Sequence, residues 1–334
     1  MACGPETGIV GLMQHRVNFS RVTWRNARLL EMIKAPSDDP PSRKRFLVFV
    51  VLESLAPSPL LRLHREQRNF DLAVRLYEGP GVNGCLLEEA EFVMTGGLSK
   101  FHSAAHFIEL NNLSERYEGY LFLDGDLEFD ALKLGDFLGM SQAASFDLAQ
   151  PSVSRDSYCY WKMAYHQPRF AFRETSFVEV MAPFMSRPAL TKLLPTFNQS
   201  ISSYGLDFVW PNLLSNGRIG VVDAFQIRHS ARVDFEGGAF YRYLATLGID
   251  PVEEGRRLEL EYGIRKVRPH SRRGYIRRNP DDNSPFMVSV PLPHPERFTR
   301  SQAAIDFAMN TFSKGPSRPE SELSMSLKDI LKKF

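Results

Sequence analysis

Two carboxylates one residue apart, Asp124 and Asp126, close an apolar run in the segment YLFLDGDLEFD, residues 120–130. Acids so spaced can share one hard divalent cation, which takes one or two carboxylates and keeps positions for substrate phosphates. Gly125 between them lets a phosphate approach the backbone, because glycine has no Cβ. Asp-Gly-Asp also makes a good tight turn, so position has to decide between the two readings. Tyr120, Leu121, Phe122 and Leu123 form a continuous apolar run, the pattern of a strand buried on both faces of an α/β sheet. Ligands of open α/β sheets bind just past the carboxyl ends of the strands. The segment therefore reads as a metal–diphosphate site, with Mn2+ or Mg2+ as the cation.

Further candidates follow along the chain. In SYGLDFVW, residues 203–210, Asp207 precedes an expected short helix. It can serve as a base toward an acceptor hydroxyl, or cap the helix. His229 ends a late strand, and a neutral imidazole there can ligate a transition metal such as manganese, or simply face solvent. Lys100 follows Gly96 and Gly97 and can hold a phosphate as a point charge, or stay solvated at a helix start. Glu179 is an acid inside the apolar stretch FVEVMAP, where burial demands a partner or a task. Tyr158, Tyr160, Trp161 and Tyr165 lie in SYCYWKMAYHQPRF and can stack on a sugar or fill the core.

The elements that must position these residues alternate. FLVFVVL (46–52) reads as a first parallel strand, PSPLLRLHREQR (57–68) as a helix and RNFDLAVRLYEG (68–79) as a second strand. SKFHSAAHFIELNNL (99–113) reads as a helix with Ser99 at its cap. FDLAQPS (146–152) and FVEVMAPFMS (177–186) read as strands, SRPALTKLLPTF as a helix with an early proline, and GRIGVVDAFQIRHS (217–230) as a late strand or hairpin. This order predicts an α/β fold: a single Rossmann-like, mostly parallel mixed sheet flanked by helices. Residues 1–44 read as an extension and linker, 45–263 as the catalytic domain, and 264–334 as a basic, Pro-rich segment. That last segment carries seven Arg or Lys among residues 265–280 and ends in an amphipathic helix. Such a segment fits peripheral contact with an anionic membrane surface.

The 334 residues are 43% hydrophobic and 24% charged, ordinary for a globular protein. A net charge of +2 argues against nucleic acid as a partner. Cys3, Cys85 and Cys159 form no CxxC pair, which excludes a disulfide framework or zinc cluster and fits a reducing compartment. The N-terminus lacks the pattern of a secretory signal, and no window reaches the ~20 apolar residues of a membrane span. The expected location is cytoplasmic, with or without peripheral membrane contact.

The order of motifs resembles nucleotide-sugar-dependent glycosyltransferases of the A-type fold, which carry a DxD motif, an acidic motif at a helix start and a late metal-binding histidine. FDLAVRLYEG, FLDGDLEF, LAQPS, FVEVMAP, YGLDFVWP and IGVVD…IRH are most similar to a plant and bacterial family labelled as a domain of unknown function. The resemblance covers about Phe46 to His229. It implies a divalent metal on Asp124, Asp126 and His229, a nucleoside-diphosphate sugar as donor near Asp124, Gly125 and Lys100, and Asp207 as catalytic residue, with Glu179 second. Leu206 stands where the family's acidic motif has a glutamate. The reaction implied is hexosyl transfer to a glycan or lipid-linked acceptor, as in polysaccharide assembly. Nucleotidyl transfer and a silent carbohydrate- or nucleotide-binding role on the same fold are the alternatives. The former would favour a basic, Gly-rich loop after the first strand, where this chain has ESLAPSPLLR.

Overall fold

A computed structural model describes residues 30–35, 44–52, 59–77, 89–230, 238–264, 268–277 and 287–291. The expected α/β class holds: one mixed sheet is flanked by helices on both faces. Its centre is set by three apolar runs, β2 (Phe46–Leu52), β3 (Phe70–Leu76) and β5 (Gly119–Leu123), in which every residue is buried. Residues so apolar on both faces can only pair in the middle of a covered sheet, and β2 lies parallel between β3 and β5. β4 (Phe92–Thr95) extends this parallel block beyond β3, and β1 (Glu31–Lys34) closes that edge antiparallel.

On the other side of β5 the pairing changes. β9 (Phe184–Ser186) lies antiparallel between β5 and β7 (Leu148–Val153). Next comes the eleven-residue β10 (Ile219–His229), parallel to β7. β8 (Phe172–Thr175), β11 (Ser271–Arg277) and β12 (Met287–Pro291) complete the sheet antiparallel, and the short β6 (Leu127–Phe129) pairs with the far end of β10.

Alternation along β2 divides the core in two. Phe46, Val48, Val50 and Leu52 face one cluster, shared with α2 (Leu134–Ala143) through Leu134, Phe137 and Leu138. Leu47, Phe49 and Val51 face the other, against α1 (Lys100–Leu110), α3 (Arg187–Leu193) and α4 (Leu206–Leu213). Two further helices, α5 (Ala239–Thr246) and α6 (Pro251–Glu261), follow β10. Leu258 of α6 joins the second cluster, so this helix packs over the α4 side of the sheet.

Three expectations change. Where a helix is expected over 57–68, the described residues 59–68 form two 3-10 turns, Pro59–Arg62 and Arg65–Gln67; Pro59 lacks the donor that a helix would need. Residues 177–183 are a loop, and only Phe184–Ser186 of the expected long strand joins the sheet. The loop backbone bonds irregularly instead: Met181 and Pro183 carbonyls accept from the Asp124 and Phe122 N–H groups. Finally, β11 and β12 fall within residues 264–334 and belong to the same sheet. The expected terminal helix, Cys3, Cys85 and residues 265–267 and 278 of the basic run lie outside the described residues, while Ser271–Arg277 of that run form β11. Among the described residues no helix is long and apolar enough to cross a membrane.

A buried ion pair ties the antiparallel half together. Arg173 of β8 meets Asp223 of β10 through Nε–Oδ2 at 2.7 Å and Nη2–Oδ1 at 3.0 Å, both side chains fully buried. The guanidinium also donates to the Met163 and Tyr165 carbonyls and to Ser271 Oγ on β11. Removing one member strands the other charge without solvent. Asp223→Ala is expected to cost roughly 3–5 kcal/mol of stability, read by urea denaturation; a loss below about 1 kcal/mol would contradict this account.

Candidate functional site

The carboxyl ends of β2, β3 and β5 define one edge of the parallel block, and the Asp-Gly-Asp corner turns there. An added Cβ on Gly125 would stand 2.2 Å from the Val51 carbonyl oxygen, so the corner lies against the end of β2 and admits no side chain. Past the corner, β6 runs back along β10 with Leu127 opposite His229. This register brings together residues 103 apart in sequence: His229 Nε2 stands 3.0 Å from Asp126 Oδ2.

The imidazole is fixed from behind. Its Nδ1 lies 2.9 Å from the Tyr158 carbonyl oxygen, which can only accept, so Nδ1 carries a proton. Nε2 and the Asp126 carboxylate then face each other with lone pairs, and a cation must lie between them. With a proton there, burial draws the His229 pKa down, but the bond to Asp126 and its charge outweigh burial and raise it to about 9. A divalent metal satisfies the same pair. Two ligands about 2.1 Å from a metal and at right angles stand about 3 Å apart, and a histidine held by a carbonyl behind it is a common metal ligand. Asp126 and His229 therefore fit two positions of such a shell. Among the described residues no group of three or more His, Cys, Asp or Glu is arranged to hold a metal, so the other positions would fall to phosphate oxygens and water.

Asp124 faces Lys100. The Lys100 ammonium, at the first residue of α1, is buried and reaches Asp124 Oδ1 at 2.6 Å. It also donates to the carbonyls of Val180 (2.6 Å) and Met181 (3.2 Å), and burial lowers its pKa. The loop 177–183 thus braces the corner twice, through Lys100 and through the bond from Asp124 N–H to Met181. Gly96 and Gly97, both at positive φ, carry the chain into α1, and a Cβ on Gly97 would run into Ser103 Oγ.

Asp207 is the second residue of α4, and Gly205 holds the cap position at φ +89°. Asp207 is therefore not the cap; its charge lies in the first turn, which the helix dipole favours. Burial raises the pKa of Tyr204 and of Tyr241 on α5, with a smaller contribution from the Asp207 charge at Tyr204 and from Tyr204 and Asp124 at Tyr241. Tyr77, directly after β3 and 40% exposed, lies within reach of Asp124 and Asp126, with the Arg75 guanidinium 4.3 Å over its ring. Sequence reading missed Tyr77, Arg75, Tyr204 and Tyr241. Only Tyr77 carried a signal, since it ends a parallel strand at the same edge as Asp124.

Glu179 lies in the 177–183 loop, 5% exposed. Its Oε1 accepts from the Trp161 N–H at 3.1 Å, and Cys159 Sγ lies 3.5 Å away. Of the aromatic stretch, Trp161 packs on Phe177 and on Phe208 of α4, while Tyr158 contributes the carbonyl behind His229. Burial pushes the Glu179 carboxyl up from 4.5 to about 7, which the Trp161 and Cys159 bonds only partly offset. The folded state therefore favours the protonated acid. As pH rises from about 4.5 to 7 the unfolded chain ionises first, and the fold loses roughly 3 kcal/mol that stays lost above this window. Glu179→Gln removes that penalty. Thermal melting should show the variant more stable than wild type near pH 8, with the difference closing near pH 4; a gap independent of pH would refute the assignment.

No family model matches the sequence, and no curated protein matches it. Among solved structures, the chain is similar to GalNAc-T7 crystallised with UDP, GalNAc and Mn2+, at 9% identity and a TM-score of 0.43. That match covers 68% of this chain and 56% of the other, so the chain spans little more than half of the length of that protein. It is also similar to a mycobacterial protein, at 12% identity and a TM-score of 0.41, covering 76% of this chain and 86% of that one. A third similarity is to residues 1–349 of TarS from S. aureus in complex with UDP-GlcNAc, at 11% identity and a TM-score of 0.36, covering 65% of this chain and 71% of that one.

Proposed function

We propose that the chain is a metal-dependent glycosyltransferase that moves a sugar from a nucleoside-diphosphate sugar to an acceptor hydroxyl. The observation that carries the reading is the corner after β5, where one carboxylate faces a buried lysine and the other faces a backbone-anchored histidine. A structural turn needs neither partner. Leaving-group departure from a nucleotide sugar, by contrast, develops negative charge on the diphosphate that positive charge must meet.

Asp126 and His229 would hold Mn2+ or Mg2+, which when bound neutralises charge on the departing diphosphate. Lys100 holds Asp124 beside the metal pair through a 2.6 Å contact, and its charge opposes the burial that raises the Asp124 pKa. Gly125, proposed from the sequence to let a phosphate approach, is needed because the Val51 carbonyl of β2 occupies the space where a side chain would stand. Tyr77 and Arg75 border the end of β3, where the nucleoside would lie. Asp207, half-buried in the first turn of α4, accepts the proton of the acceptor hydroxyl if the anomeric centre inverts and orients that hydroxyl if it is retained. A glycan or lipid-linked sugar is the acceptor class.

Calorimetric titration with UDP and GDP, each with and without Mn2+, tests the reading. Manganese-dependent nucleotide binding is expected in wild type, weakened about a hundredfold or more in Asp126→Ala and roughly tenfold in His229→Ala, where water can replace the lost ligand. Equal binding in wild type and Asp126→Ala would remove the basis of the proposal. Asp207→Asn should bind nucleotide as wild type does yet lose on the order of a thousandfold in turnover; full turnover in that variant would exclude proton abstraction.

A further inference from the structure

Helix α6 grips the turn that leads into Asp207. Glu254, 4% exposed, directs its carboxylate at the start of that turn. Oε1 accepts from the Ile201 N–H at 2.9 Å, and Oε2 lies 2.8 Å from the Ser202 nitrogen and 3.1 Å from the Ser200 hydroxyl. A buried carboxylate needs this many donors to offset the loss of water. Asp250 caps α6, accepting from the Val252 and Glu253 N–H groups, so the carboxylate stands on a fixed element.

The turn itself is strained. Ser203 has φ +67° and Gly205 φ +89°, the left-handed region that a serine rarely occupies. Such a conformation persists only where its surroundings impose it. The next residue of α6 supplies the second grip. Gly255 lies so close under Tyr204 that a Cβ there would stand 2.6 Å from the ring, and a Cβ on Gly205 would stand 3.1 Å from Gly255. Glu254 thus holds the turn by hydrogen bonds while Gly255 seats Tyr204 by close approach. What emerges from the turn is Tyr204, 40% exposed, and then Asp207 in the first turn of α4.

We propose that Glu254 is a positioning residue for transfer: through the Ser200–Gly205 turn it sets Tyr204 and Asp207 toward the acceptor. The assignment rests on the transferase reading. It makes α6, which touches neither acid of the metal corner, part of the reaction machinery. Donor and metal are held by the β5–β10 corner, so loosening the turn lowers turnover and leaves donor affinity alone.

Two variants of the full chain test this by independent routes. Glu254→Gln keeps shape but places an amide against a backbone N–H; Gly255→Ala keeps the carboxylate and displaces Tyr204. The probe is whichever member of a panel of UDP- and GDP-sugars the wild type hydrolyses best with Mn2+, water standing in for the acceptor. Both variants are expected to lose about tenfold or more in kcat, with KM and manganese-dependent nucleotide binding within about twofold of wild type. If Glu254→Gln fails to fold, Gly255→Ala alone gives the answer. A lowered melting temperature with kcat unchanged in the folded variants means that α6 only stabilises the fold, and overturns the assignment while sparing the transferase reading. A wild type without manganese-dependent nucleotide binding overturns both.

Discussion

The register between β6 and β10 is the constraint on which the site depends. With Leu127 opposite His229, the turn residue Asp126 just before β6 comes within 3.0 Å of the imidazole. Because side chains alternate along a strand, a slip of one position would turn His229 to the other face and separate it from Asp126. The register is held outside the site as well. Arg228, next to His229, bridges Glu128 on β6 and Asp156 beyond β7. At the opposite end of β10, the Arg218 N–H donates to Asp147, whose other oxygen faces Ser186 on β9. The strand is thus pinned at both ends, and the buried Arg173–Asp223 pair fixes its middle.

The second carboxylate is governed by different physics. Lys100 is drawn to Asp124 because burial leaves its ammonium without water, and the carbonyls of Val180 and Met181 take the remaining ammonium hydrogens. One acid of the corner is therefore held by an internal ammonium, while the other faces a position that a proton or a metal must fill. Two acids within three residues of chain thus have different partners, an ammonium and an imidazole.

Sequence reading succeeded where burial is uniform. The runs FLVFVVL, FDLAVRL and GYLFL could be strands because nothing else buries both faces, and the polar break at Asp124 marked where the sheet ends. It failed where local apolarity hides backbone irregularity. FVEVMAPFMS has strand composition, yet its first seven residues bond as a loop around Lys100, Asp124 and Gln150, contacts that no window of sequence contains. The burial of Glu254 against the Ser200–Ser202 backbone was equally hidden, since a helical glutamate looks like an ordinary surface residue. Asp207 reads from sequence as a base or a helix cap, and the cap reading fails because the left-handed Gly205 takes that position instead.

Strand β8 has β10 on one side and β11 on the other, and the β8–β11 seam is reinforced by Phe172 stacked on Tyr275 at 4.5 Å and by the Tyr275 hydroxyl on Glu174. The domain boundary expected near residue 263 is therefore not a place where the chain can be cut. Shortened there, the protein would present β8 as a bare row of peptide donors and acceptors, with Phe172 uncovered beside it. An open, apolar sheet border of that kind pairs readily with its own copies, so trimming the basic tail to gain tractability would instead manufacture a self-associating molecule.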